Sequence, residues 1–267
     1  MREVLVRAFS GLLYVALLLL AIFSIELGYQ ILMLIFGTFV LYEFLKLIEI
    51  KAYWPYIMFF LLVGVFCFAR VSFEVNIIYL LGVLAVNCAL ISKLFSRSER
   101  VISGFSKTLY LLYYITGGVV FTILLPSYKD EYTSSIVASV FGLIWINDTF
   151  AFVVGKSLGK TKLLERISPK KTVEGFLGGM FFSVLASIFI FKFTQELTVT
   201  VWVALAVITS TFGTMGDLIQ SQLKRQAGVK DSGSIMPGHG GIFDRLDSMI
   251  FAAPFLYTLL IVLHYVS

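Results

Sequence analysis

Nine stretches of this chain are apolar for about the length a helix needs to cross a bilayer, and that repetition constrains the fold more than any other feature. A crossing takes about 20 mainly apolar residues. The runs are 8–25, 29–48, 54–70, 75–95, 108–126, 133–155, 173–192, 198–223 and 245–265. A backbone in lipid must satisfy its own hydrogen bonds, which helices do within one segment. The expected fold is therefore all-α and polytopic, a single transmembrane domain over 1–267 with about nine helices. Composition agrees: 59% of residues are hydrophobic and 14% charged, against about 25% charged in soluble domains. The first run follows Arg2 and Arg7 and resembles a signal peptide. With eight more runs behind it, an uncleaved first helix is the expectation.

Charge orients the bundle. Nine crossings put eighteen lysines and arginines on one face and only Arg70, Lys129 and Lys192 on the other. Cytoplasmic loops carry such an excess, so the N-terminus is expected in the cytoplasm and the C-terminus outside. The net charge of +5 follows from this loop bias and needs no nucleic acid. Cys67 and Cys88 lie inside apolar runs without C-x-x-C spacing, so no zinc site or disulfide framework is expected.

Polar chemistry is uneven along the chain. In residues 1–130 the helices carry little of it; Glu43 and Lys46, spaced i, i+3, read as an interfacial pair with a snorkelling lysine. The catalytic interest lies in 131–267. Asn147 and Asp148 interrupt the sixth run; an acid there is functional by default, or else a polar pair that packs helices. The next loop, GKSLGKTKLLERISPKKTVEGFLGG, gathers Ser168, Lys170, Lys171 and Thr172 just before a helix expected to start near Val173. Free N–H groups and lysines at such a place suit phosphate, although an ordinary basic loop would look alike. It is no P-loop, because the four-residue gap before G-K-[ST] is missing.

The densest stretch is SQLKRQAGVKDSGSIMPGHGGIFDRLD, residues 221–247. Asp217 lies one turn before it, four residues from Ser221 and on the same helix face. Asp244 and Asp247 share a face at the start of the last helix, after Gly238, Gly240 and Gly241. Alternating crossings bring Asp148, Asp217, Asp244, Asp247 and both basic loops to one side at similar depth. Several carboxylates among many cations suit magnesium and a polyphosphate. His239 could bind phosphate, act as a base, or only shape its loop. The residues alone thus point to a membrane enzyme that uses a metal and a phosphorylated substrate at the cytoplasmic interface.

Residues 221–247 resemble the signature of phosphatidate cytidylyltransferases, the CDP-diacylglycerol synthases. Ser221, Leu223, Lys224, Arg225, Lys230, Asp231, Gly233, Pro237, His239, Gly240, Gly241, Ile242, Asp244, Arg245, Leu246 and Asp247 carry the likeness, with Met236 where a leucine-like residue is usual. Ser168–Thr172 with Glu174 and Gly175, Asn147–Asp148 and the Gly155–Lys156 turn are similar to the family's other hallmarks. The first four helices are similar only in being apolar.

The resemblance implies magnesium-dependent transfer of CMP from CTP to phosphatidate, giving CDP-diacylglycerol and pyrophosphate in phospholipid synthesis at the inner membrane. It implies Asp217 and Asp244 as metal ligands, with Asp247 and Asp148 as further candidates. Lys224, Arg225, Lys230 and Arg245 would hold phosphates, Asp231 would join the catalytic acids, and Ser221 would be among the substrate- or phosphate-binding residues. Ser168, Lys170, Lys171 and Thr172 would form a second phosphate loop, and His239, Gly240 and Gly241 the turn beneath the site. A second metal, an accompanying monovalent cation and a homodimer stay open. The alternatives are a cytidylyltransferase for another lipid phosphate, such as an archaeal ether lipid, and an anion or lipid transporter. A transporter would spread its charges toward mid-membrane and both faces, which this chain does not do. The D-G-x2-A-R motif of CDP-alcohol phosphotransferases is absent.

Overall fold

A computed structural model describes residues 2–69, 71–96, 105–129, 131–238 and 240–266. Nine helical rods follow one another among them: α1 (Arg2–Ile22), α2 (Glu26–Leu47), α3 (Trp54–Phe68), α4 (Phe73–Phe95), α5 (Ser106–Ser127), α6 (Ser134–Leu158), α7 (Val173–Thr194), α8 (Val199–Gln226) and α9 (Phe243–Val266). Seven of them, α2 and α4–α9, are long and apolar enough to cross a membrane; α3 and the apolar part of α1, Val6–Ile22, are shorter. The protein is thus an all-α polytopic membrane protein, with helix limits close to those expected from the apolar runs.

A short hairpin departs from that expectation. β1 (Lys162–Leu164) pairs antiparallel with β2 (Ser168–Thr172), with Lys162 opposite Thr172 and Leu164 opposite Ser168. Strands this short, in a loop rich in lysine, carry too few alternating residues for a period of two to be visible. The hairpin is tied down locally. Lys162 Nζ donates to the Pro169 carbonyl at 2.7 Å, and Arg166 Nη2 donates to the carbonyls of Leu94 (3.2 Å) and Ser96 (2.8 Å) at the end of α4.

Burial sorts the helices by role. In α5 and α9, 72% of the apolar segment lies inside the bundle; in α7 only 17% does. α5 and α9 form the core, while α7 turns Phe181, Phe189 and Phe193 outward, as suits a helix whose apolar surface meets lipid. The aromatic centre is continuous: Tyr114 of α5 contacts Phe44 of α2 and Phe243 and Phe251 of α9, with ring centroids 5.9–6.4 Å apart. Tyr14 of α1 stacks on Phe36 of α2 at 5.8 Å. Where helices carry the polar residues they approach closely. At Gly216 of α8 a Cβ would fall 2.6 Å from the Asp247 carbonyl oxygen of α9, so only glycine permits this spacing, and it sets Asp217 beside Asp247.

Candidate active site

The acids that the sequence scatters over 100 residues come together at one end of the bundle. Asp148 lies in the last half of α6, Asp217 near the end of α8, and Asp244 and Asp247 in the first turn and a half of α9. All four line one cavity of about 460 Å³, together with Asp231, Ser168, Lys170, Lys171, Thr172, Lys224 and Arg245. Asn147, Thr214 and Ser248 complete much of its polar wall. A second cavity of about 280 Å³ lies against α1 and is lined there by Gly11, Tyr14 and Val15, with Ile144, Trp145 and Met236. The two share Asp148, Asp244, Arg245, Asp247 and Ser248. The acids therefore stand between a lysine-walled chamber and a largely apolar one.

Local structure explains how the lysines reach the site. Thr172 caps α7, its Oγ1 accepting the Gly175 N–H at 3.1 Å, one of the amides a helix start leaves without an internal partner. Glu174 faces back and accepts the backbone N–H groups of Lys160 (3.0 Å) and Thr161 (3.1 Å), which holds the turn before β1. With both ends of the hairpin held, Lys171 crosses the cavity and pairs with Asp217 Oδ2. Burial works against the lysine's charge, but the Asp217 carboxylate outweighs it and holds the Lys171 pKa above its ordinary value. Ser221, one turn beyond Asp217, donates to Asp217 Oδ1 at 3.1 Å, as their shared face predicts.

Asp244 is the most heavily engaged of the acids. Its Oδ1 accepts from Lys224 Nζ at 2.7 Å and Gln220 Nε2 at 3.0 Å, and its Oδ2 from the N–H groups of Gly241 (2.9 Å) and Ser232 (3.0 Å). Asp247 is buried, and its Oδ1 accepts the Ser248 N–H at 2.7 Å. Asp148 is exposed to the cavity and takes a long 3.4 Å contact from Asn147 Nδ2.

Other expected site residues fall elsewhere. Arg225 and Lys230 are exposed on the surface and do not line the cavity. Gly240 takes a left-handed φ of +89° in the turn where the Met236 N–H donates to the Gly240 carbonyl at 3.0 Å. His239 lies outside the described residues. Two readings made from the sequence need correcting. The first helices do carry site chemistry, and Glu43 is not an interfacial partner of Lys46. It is fully buried, with its partners on the segment Ser232–Phe243, 189 to 200 residues away in sequence. Gln220 and Ser232, both beside Asp244, also escape a reading by motif. The rarity of a carboxylate within an apolar run was the available signal for Glu43; pairing it with the nearest lysine obscured it.

Among the described residues no three acids, histidines or cysteines close on a point as a ready metal cage. Lysines occupy Asp217 and Asp244 instead. Such a donor set fits a magnesium ion that arrives with phosphate. That ion takes one or two carboxylates and completes its shell with phosphate oxygens and water, which would leave the lysines to the remaining phosphate charge.

The sequence profile of the cytidylyltransferase family matches residues 5–263 of the chain. The chain belongs to this family. It is 50% identical over 123 residues to a phosphatidate cytidylyltransferase of Staphylococcus aureus strain COL, covering 45% of this chain and 47% of the other. The same identity holds over 135 residues with the phosphatidate cytidylyltransferase of Bacillus subtilis strain 168, 49% of each chain. With that of Aquifex aeolicus strain VF5 it is 39% identical over 171 residues, 64% of this chain and 63% of the other. The chain thus spans about half the length of the first two relatives. The family match, by contrast, takes in α2 and Glu43 as well as the signature.

Proposed function

We propose that the chain catalyses magnesium-dependent transfer of CMP from CTP to phosphatidate, releasing pyrophosphate and forming CDP-diacylglycerol. The observation that carries this reading is the pair of cavities meeting at Asp148, Asp244, Arg245 and Asp247. One wall supplies Lys170, Lys171 and Lys224 for a triphosphate. The other, against α1, is largely apolar, which suits the diacyl side of a lipid phosphate. A reaction that joins a nucleotide phosphate to a lipid phosphate needs those two environments to share one set of charges. The names of the relatives support the same substrates.

In this reading Ser168, Lys170, Lys171 and Thr172 bind the triphosphate from the hairpin, and Lys224 approaches it from α8. Arg245 lines both cavities and, in this reading, bridges the two substrates. The lipid phosphate oxygen attacks the α-phosphorus in line, the bond to the bridging oxygen of pyrophosphate breaks, and Lys170 and Lys171 hold the departing charge. A phosphoanhydride bond forms from a lipid phosphate monoester that is already ionised, so no strong base is assigned. Asp217 and Asp244, with Asp247 and Asp148 beside them, would hold magnesium, which when bound neutralises charge on the phosphate oxygens. The bias of lysine and arginine supports a site at the cytoplasmic face of the cell membrane, where CTP is available.

The test is incorporation of radiolabelled CTP into phosphatidate by the purified chain, with magnesium or with EDTA. Magnesium-dependent lipid label with equimolar pyrophosphate is expected. Label with another lipid phosphate but not with phosphatidate would move the substrate and keep the mechanism. No label with any lipid phosphate, from folded protein, would overturn the reaction.

A further inference from the structure

Glu43 lies in the middle of the site's framework although it belongs to α2, far from the signature in sequence. It is fully buried. Its Oε2 accepts from Ser232 Oγ at 2.7 Å and from the Phe243 N–H at 2.9 Å, and its Oε1 from the Ile242 N–H at 3.1 Å. Ser232 Oγ also lies 3.0 Å from Asp244 Oδ2, whose other donors are the N–H groups of Ser232 and Gly241. The amides that open α9 are thus divided between two carboxylates. The N–H of Gly241, just before α9, goes to Asp244 in the first turn of that helix, and those of Ile242 and Phe243 go to Glu43 on α2. A helix start leaves such amides without internal partners, and here their direction decides where Asp244 stands.

Space around Glu43 is as constrained as its hydrogen bonds. A Cβ on Gly233 or Gly241 would run into the Glu43 carboxylate. The loop can therefore close onto α2 only because both positions are glycine. A buried carboxylate left without partners is costly, so closure of this loop and placement of Glu43 occur together. The Ser232 hydroxyl has one hydrogen and two acceptors within reach. Asp244 Oδ2 already receives two N–H groups, so the hydroxyl serves Glu43 at the shorter distance. Glu43 thereby holds the residue whose own N–H grips Asp244.

We propose that Glu43 is a positioning residue for Asp244: through Ser232 and the amides of Ile242 and Phe243 it sets that carboxylate's place, and so the affinity of the site for a metal–CTP complex. This rests on the reading of Asp244 as a metal ligand. It assigns α2 a part in the reaction without contact with substrate. The alternative, that Glu43 only closes the fold, predicts lower stability with unchanged affinity in the folded fraction.

The experiment is a titration of full-length protein in detergent with Mn²⁺ and CTP, free Mn²⁺ being read by electron paramagnetic resonance and the folded fraction by size exclusion. Wild type, Glu43→Gln, Ser232→Ala and Asp244→Asn are compared. Glu43→Gln keeps the shape but cannot accept all three hydrogen bonds, and loss of one charged hydrogen bond corresponds to roughly a tenfold effect. Roughly tenfold weaker Mn²⁺–CTP binding per folded molecule is expected, with Ser232→Ala weaker in the same direction. The KM for magnesium–CTP should rise while the KM for phosphatidate stays. Wild-type affinity in both Glu43→Gln and Ser232→Ala, with Asp244→Asn impaired, would overturn the positioning role and leave the metal reading intact. Wild-type affinity in Asp244→Asn would overturn the metal reading and this inference with it. If Glu43→Gln does not fold, Ser232→Ala, which removes one loop hydroxyl, decides the question alone.

Discussion

Replacement of Lys171 by methionine separates what the hairpin does for stability from what it does for chemistry. In the structure Lys171 pairs with Asp217 across the cavity, and the two side chains are 28% and 35% exposed. An ion pair this open to water contributes at most about 1 kcal/mol to folding, so Lys171→Met should lower the unfolding temperature by about 2–4 °C at most. Once a triphosphate binds, the same ammonium makes a charge-assisted contact worth about 1.5–3 kcal/mol. That corresponds to a fall in kcat/KM for CTP of roughly 10- to 150-fold. The bare metal should respond in the opposite sense. With its competing lysine gone, Asp217 is free to bind Mn²⁺, so affinity without CTP should hold or tighten. The assays are thermal unfolding in detergent, CTP kinetics at saturating phosphatidate, and Mn²⁺ titration without nucleotide. A Lys171→Met protein whose kcat/KM for CTP stays within threefold of wild type would refute the placement of phosphate on the hairpin.

Four further outcomes follow from the same geometry. Lys171 has a pKa raised above its ordinary value of 10.5, so its charge and the stability of its pair are fully present below that value and are lost only as pH rises through the folded-state pKa. A pH profile of kcat/KM should therefore show no falling limb below pH ~10 that disappears in Lys171→Met. Asp244→Asn should reduce turnover at least roughly a thousandfold, as expected where one change removes a carboxylate proposed to hold magnesium and leaves Lys224 unpaired, while the protein still elutes as a folded species. Gly216→Ala should destabilise by about 1–3 kcal/mol, because its Cβ would press on the Asp247 carbonyl and on Phe251; an unchanged melting curve would contradict that packing. Thr172→Ala should cost about 1 kcal/mol through loss of the α7 cap, readable in the same measurement.

The helices and the gathering of the acids were legible in the sequence, and for one reason. Length and hydropathy set the crossings, alternating crossings set which residues share a face, and Asp148, Asp217, Asp244 and Asp247 follow from that arithmetic without a contact being known. The β hairpin was not legible, because its pairing is fixed by Arg166 reaching the end of α4 and by Lys162 reaching Pro169, partners that no local pattern announces. Arg225 and Lys230 show the limit of a motif: membership in a signature does not say that a side chain faces the cavity, and these two are exposed outside it. Glu43 shows the opposite limit. Its neighbour Lys46 offered a local pairing at the right spacing, and local pairings are what a sequence displays most readily. A carboxylate that is fully buried, however, needs several donors at once, more than one lysine at a helix surface can supply. The amides that begin a helix are such a set, and in this chain they belong to α9. The region that names the chemistry is therefore held in place by a residue outside it, and substitutions in α2 at Glu43 should be read first as changes to the active site.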